Sequence, residues 1–106
     1  MSMDSLRKSF VNELVVTTLL ADIRKIASEV EVKIAELNIQ NLQGEFTESL
    51  VGVLSGAAII QDCVQQQMFD LIELIRSENF DHRTCAGQLF LLRLEIKKVL
   101  DILNQI

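Results

Sequence analysis

Apolar residues recur at steps of three and four along almost the whole chain, the spacing that lines one face of an α-helix. The first series is Leu6, Phe10, Leu14, Val16, Leu19, Leu20, Ile23, Ile26, Ala27, Val30, Ile34 and Leu37. It predicts a first helix that starts near Asp4 or Ser5, either of which can cap it, and ends between Asn38 and Gly44. Gly44 suits the left-handed closing position, where a residue without a Cβ meets no penalty. Within this helix the β-branched run of Val15, Val16, Thr17 and Thr18 is mildly unfavourable to helix. A break between Thr17 and Asp22 would turn three helices into four.

A second helix is expected from a cap at Thr47 to about Ser77, with Glu45 and Glu48 well placed for the helix dipole. Its core face reads Leu50, Val53, Leu54, Ala57, Ile60, Val64, Met68, Leu71, Ile72 and Ile75. Residues 78–81 form a short turn, and Asp81 caps a third helix that runs nearly to Ile106. That helix faces Leu89, Leu92, Ile96, Val99, Leu100, Leu103 and Ile106 inward and Arg93, Lys97, Lys98 and Asp101 outward. Short connections imply neighbouring helices that run in opposite directions. The predicted fold is an all-α, up-down-up antiparallel bundle with a coiled-coil-like core, and residues 1–106 read as one domain.

Composition agrees with this pattern. The 106 residues include no Pro and only four Gly, so little of the chain is punctuated by helix breakers. The hydrophobic fraction is 49%, high for a small elongated body with so much surface per unit volume. Three stretches have no obvious water face: Leu14 to Ala21, Leu50 to Ile60 and Ala86 to Leu92. A helix that is apolar all round is normally buried all round, so a second chain is expected to cover part of this surface. The second stretch is the best candidate, because Gly52 and Gly56 give steric permission for a close helix approach. The expected homodimer interface is Leu50, Val51, Gly52, Ser55, Gly56 and Ile59. The competing reading is that the two glycines serve a crossing with the first helix of the same chain.

Charge narrows the possible partners. The net charge is −5. Most of the acid lies in residues 44–78, which carry six acidic residues and one basic residue. Asp62, Gln66, Asp70 and Glu73 follow one another along the second helix as a polar stripe suited to facing a protein partner. No cluster of Lys and Arg interleaves with aromatic residues, which argues against nucleic acid and against an anionic membrane. No secretion signal is expected at the N-terminus. The longest uncharged run, Ser49 to Gln61, is too short for a membrane span of about 20 residues. A cytoplasmic protein is expected.

Candidate chemistry is sparse. His82 invites comparison with histidine-phosphotransfer domains, which are also small acidic helical bundles. Those keep the His in mid-helix with Lys three and Gly four residues later, where this chain has Cys85 and Ala86. Cys63, His82 and Cys85 fall too far apart in an antiparallel pair to converge on a metal, so both cysteines are expected to be small buried hydrophobes. The five Phe residues are scattered as core packing would scatter them. No Glu is followed three residues later by His, as a di-iron bundle requires, and no phosphate-binding loop or catalytic triad spacing occurs. No catalytic residue, metal or cofactor is expected. The functional expectation is a non-enzymatic, homodimeric protein-protein interaction module. An apolar ligand carrier with an inter-helix cavity near Gly52, Gly56, Ala57, Ala58, Ala86 and Gly87 is the alternative, and a His82 phosphotransfer protein is a weaker one.

Overall fold

The computed structural model describes residues 3–42, 44, 48–77 and 81–106. It describes their side chains too, except those of residues 5, 6, 8–12, 41, 42, 49 and 82. Three helices account for nearly all of these residues: α1 (Met3–Leu42), α2 (Glu48–Ile75) and α3 (His82–Asn104). No strand occurs among the described residues. The three helices pack together into a rod of 63 × 21 × 16 Å. At a rise of about 1.5 Å per residue, the 40 residues of α1 alone span nearly that length.

The first helix is continuous, which corrects the four-helix alternative. Residues 3–42 contain neither Gly nor Pro. The β-branched run stays helical, and two of its members find partners. Val16 is buried in the core, and the Thr17 hydroxyl donates to the Glu13 carbonyl at 3.0 Å, the local bond by which helical Thr satisfies itself. Beyond the helix, Gly44 has φ +77°. This is the left-handed conformation expected of it, and one that a side chain at this position would strain.

The ends of α2 and α3 show how the chain closes and opens helices. The expected cap Thr47, with Glu45, lies outside the described residues. Past Ile75 the last carbonyls of α2 are taken up locally. Ser77 N–H and its hydroxyl both donate to Leu74 O, at 3.0 and 2.6 Å. Asp81 caps α3 as expected. Its backbone is extended (φ −104°, ψ 104°). Its carboxylate accepts from Arg83 N–H at 3.1 Å and from the Thr84 hydroxyl at 2.7 Å.

One cluster of buried side chains runs from Val16 to Leu37 along α1, from Leu54 to Leu71 along α2 and from Cys85 to Leu103 along α3. Ile23, Val30, Val64, Cys85, Leu89, Ile96 and Leu103 are its most deeply sealed members. α1 and α3 make the most extensive pairing, and α2 packs less closely against both. Side-chain contacts show which parts of the helices meet. Asp22 of α1 pairs with Arg93 of α3 at 3.5 Å. The Gln61 amide of α2 donates to the Ala27 carbonyl of α1 at 3.0 Å. Val53 to Ile60 of α2 adjoin Val99 to Leu103 of α3, while Gln67 to Leu71 adjoin Gln88 to Glu95.

Several residues assigned to the core lie outside it. Leu14, Val53 and Ile106 are exposed. Phe69 and Phe90 are exposed as well, contrary to their expected core role. Each follows a buried residue (Met68, Leu89), and one step along a helix turns a side chain about 100° away. Conversely Gln61 is buried, and its hydrogen bond to α1 explains how a polar group is tolerated there. Removing a sealed core side chain leaves a cavity that a rigid helix pair cannot close. Ile96→Ala is therefore expected to lower stability by about 2–5 kcal/mol, whereas Phe90→Ala should change it by less than about 1 kcal/mol. Urea unfolding followed by circular dichroism checks both.

Candidate functional site

The surface offers two clefts between α2 and α3 and an open apolar stretch on α2. Successive lining positions on α2 (Gly56, Ile60, Gln67, Leu71) and on α3 (Gln88, Leu92, Val99, Leu103) fall on a single line along each helix. The two clefts are therefore parts of one groove between these helices. Its lower part is a cleft of about 160 Å³ lined by Val53, Gly56, Ala57, Ile60, Val99, Ile102 and Leu103, without a polar side chain. Its upper part is a larger space of about 460 Å³ where Gln67, Asp70, Gln88 and Glu95 alternate with Leu71, Leu91 and Leu92.

The expected interface residues fall beside the lower cleft. Gly52, Ser55, Gly56 and Ile59, three and four residues apart, share one outward side of α2. Gly52, Ser55 and Ile59 are exposed and Gly56 is half-buried. Val51 is exposed at the edge of that side, and Leu50 is half-buried. Nothing lies within 4 Å of a Cβ built at Gly52 or at Gly56. The glycines are thus not required by a close crossing within the chain, which removes the competing reading that they serve one with the first helix. Ile102, more than half exposed, completes the apolar rim from α3. Sequence reasoning missed Ile102 as a surface feature. The available signal was that it is apolar yet stands one position off the inward series of α3.

All three stretches without a water face do expose apolar side chains. Leu14 and Val15 are exposed in the first, Val51, Val53 and Ile59 in the second, and Phe90 and Leu91 in the third. In a bundle of three helices each keeps an open side, so side chains that surround a helix cannot all be hidden.

The polar stripe is exposed throughout. Gln66 donates its amide to Asp70 at 3.1 Å, and Arg76 pairs with Glu73 at 3.3 Å. Asp62 is exposed one turn earlier and makes no ion pair among the described residues. Pairs this open to water contribute little to stability, which leaves the carboxylates available for contacts with another molecule.

The His82 side chain lies outside the described residues, and its backbone opens α3. Cys85 is sealed in the core, and burial pushes its thiol pKa up, with the nearby Asp81 charge adding to the rise. Cys63 is exposed, which corrects its expected burial. It precedes the buried Val64 and so points about 100° away from the core. Among the described residues, no group of three or more His, Cys, Asp and Glu is placed to hold a metal ion. Among the described residues, no helix is long and apolar enough to cross a membrane.

Two outcomes follow from these geometries. Cys63 should react with a thiol reagent in the folded protein, while Cys85 reacts only on unfolding; mass spectrometry of labelled peptides identifies each site. The Asp81 carboxyl is held below its ordinary value by the Thr84 hydroxyl and then by Arg83 N–H. A carboxyl with a lowered folded-state pKa stabilises fully above the unfolded value near 3.8, and that stabilisation is lost as pH falls through the folded value. Asp81→Ala should accordingly lower the melting temperature at pH 7 and narrow its gap to the parent below about pH 4, as measured by thermal melts across pH. Matched with family models, curated proteins and solved structures, the chain corresponds to none of them.

Proposed function

We propose that this protein is a non-enzymatic protein-protein interaction module that acts as a homodimer. Self-association runs through the first half of α2, and the acidic second half is presented to a protein partner. The observation that carries this reading is the combination found between Leu50 and Ile60. The segment holds no charged residue, exposes Val51, Val53 and Ile59, and leaves the Gly52 and Gly56 side of the helix open. A chain of net charge −5 repels its own copies, so an uncharged apolar stretch is where two copies meet at least electrostatic cost.

An up-down-up, antiparallel course supports the same reading. It is favoured by the way rising residue numbers in α2 adjoin falling numbers in α3 along the groove. In that course the uncharged half of α2 lies beside the C-terminal half of α3, and Asp62, Asp70 and Glu73 extend away from the interface. The expected setting is the cytoplasm.

The lower cleft favours a second reading, an apolar ligand carrier. Its volume of about 160 Å³ and its wholly apolar lining suit a small apolar molecule. The two readings separate by what fills the cleft, a side chain of a second copy or a free small molecule.

Light scattering over a dilution series tests the primary reading, with Gly52→Leu alongside. Nothing near Gly52 obstructs a side chain, and replacing a mid-helix glycine with leucine favours the helix by about 0.5–1 kcal/mol. The variant is expected to be more stable as a monomer yet to dimerise less. A parent that stays monomeric at every concentration sinks the self-association reading. Xenon-induced shifts confined to Val53, Ile60, Val99 and Ile102 in that monomer would favour the carrier instead.

A further inference from the structure

The upper part of the α2/α3 groove combines apolar surface with two carboxylates from different helices. Asp70 stands on the α2 side and Glu95 on the α3 side. Between them Leu91 is 65% exposed, over a floor that includes the buried Leu71 and Leu92. No Lys or Arg lines this space. Of the neighbouring cations, Arg76 pairs with Glu73, Arg93 with Asp22 and Lys97 with Asp101, while Lys98, one turn past Glu95, is exposed and makes no ion pair among the described residues. Glu95 makes no ion pair among the described residues. Among the described residues the partner of Asp70 is the Gln66 amide, on one oxygen.

We propose that this groove docks a basic amphipathic helix of a partner protein, with an apolar side chain seated against Leu91 and Leu71 and Lys or Arg residues reaching Asp70 and Glu95. The inference rests on the reading of the protein as an interaction module and names the chemistry of its partner. A furrow between two helices accepts a further helix through ridges-into-grooves packing, and recognition by apolar anchors three and four residues apart is a recurrent mode. The walls, Gln67–Leu71 on α2 and Gln88–Glu95 on α3, match about two turns of such a helix. Charge selects among occupants. The two carboxylates attract Lys and Arg and repel phosphate, which disfavours nucleic acid and anionic lipid. The site lies at the end of α2 remote from Gly52 and Gly56, so a homodimer leaves it open.

The probe is a fluorescein-labelled synthetic peptide of about four helical turns, with Leu at every third or fourth position and Lys between. Its counterpart carries Glu in place of Lys. Anisotropy titrations of the full chain at low salt are read together with amide shifts in isotope-labelled protein. The Lys peptide is expected to bind and to shift Leu71, Leu91 and Leu92, and the Glu peptide is expected not to. The double variant Asp70→Asn, Glu95→Gln should weaken binding about tenfold, in line with the loss of two screened charge pairs. The double variant Glu13→Gln, Glu31→Gln removes the same charge from exposed positions of α1, outside the groove, and should leave binding nearly unchanged. Equal losses in both double variants would mean that net charge alone attracts the peptide, which overturns the proposal. Shifts on another face, or no binding by the parent, overturn it as well. Light scattering on the same samples keeps the two ideas apart. A dimer that ignores the peptide defeats only the groove, and a monomer that binds it at Leu91 defeats only the homodimer.

Discussion

Ile23 and Val30 on α1, and Leu89, Ile96 and Leu103 on α3, are all fully sealed from solvent, and these two helices pack more extensively than any other pair. The rest of the structure depends on this seam. Each such side chain contributes about 1.5–3 kcal/mol by leaving water, against a total stability of about 5–15 kcal/mol for a domain. The buried side chains of the seam are also all apolar. The charged pair that spans it, Asp22 with Arg93, sits at the margin with both side chains partly in solvent. Apolar contact therefore holds α1 to α3, and the ion pair adds little.

A third helix laid against a closely packed pair touches both but cannot surround either. α2 covers one side of the seam through Leu54, Ala57, Val64, Met68 and Leu71, and its own far side stays open. In its second half that far side is polar, as water requires. In its first half, past Glu48 at the helix start, it is Gly, Val, Ser and Ile without a charge. The same geometry produces the furrow between α2 and α3, whose lower end is apolar and whose upper end carries a carboxylate from each helix. The surface most suited to contact with other molecules is thus a by-product of how three unequal helices share one core.

The helices themselves were legible because each local signal agreed with the others. The 3.6-residue period located all three, Gly44 took the left-handed conformation expected of it, and Asp81 capped α3. Thr17 and Thr18 misled, since β-branching is only a weak penalty and burial of Val16 outweighs it. Periodicity was poorest at the borders of the core face. Cys63, Phe69 and Phe90 each adjoin a buried position, and one residue separates inside from outside. Gln61 was invisible for the opposite reason: nothing in its neighbours announces that a carbonyl of another helix waits within reach. Of the surface, the α2 residues could be read because they are consecutive turns of one helix. The contributions of Val99, Ile102, Leu91 and Glu95 depend on which parts of α3 lie beside α2, and the chain does not spell out that relation locally.

Gln61 has a consequence for the uniqueness of the fold. A core made almost wholly of Leu, Ile, Val and Ala is tolerant: slide one helix past another by a turn and most contacts are replaced by equivalent ones. Among the described side chains, Gln61 is the buried polar one, and its amide reaches one particular carbonyl, that of Ala27. Shifted by one turn, about 5.4 Å, the amide would face hydrocarbon with its hydrogen bond broken, at a penalty of about 1–3 kcal/mol. That is enough to lower the population of a slipped packing roughly fivefold or more. The amide works as a detent in an otherwise smooth bearing. It adds little to how firmly the helices are held and much to where they stop.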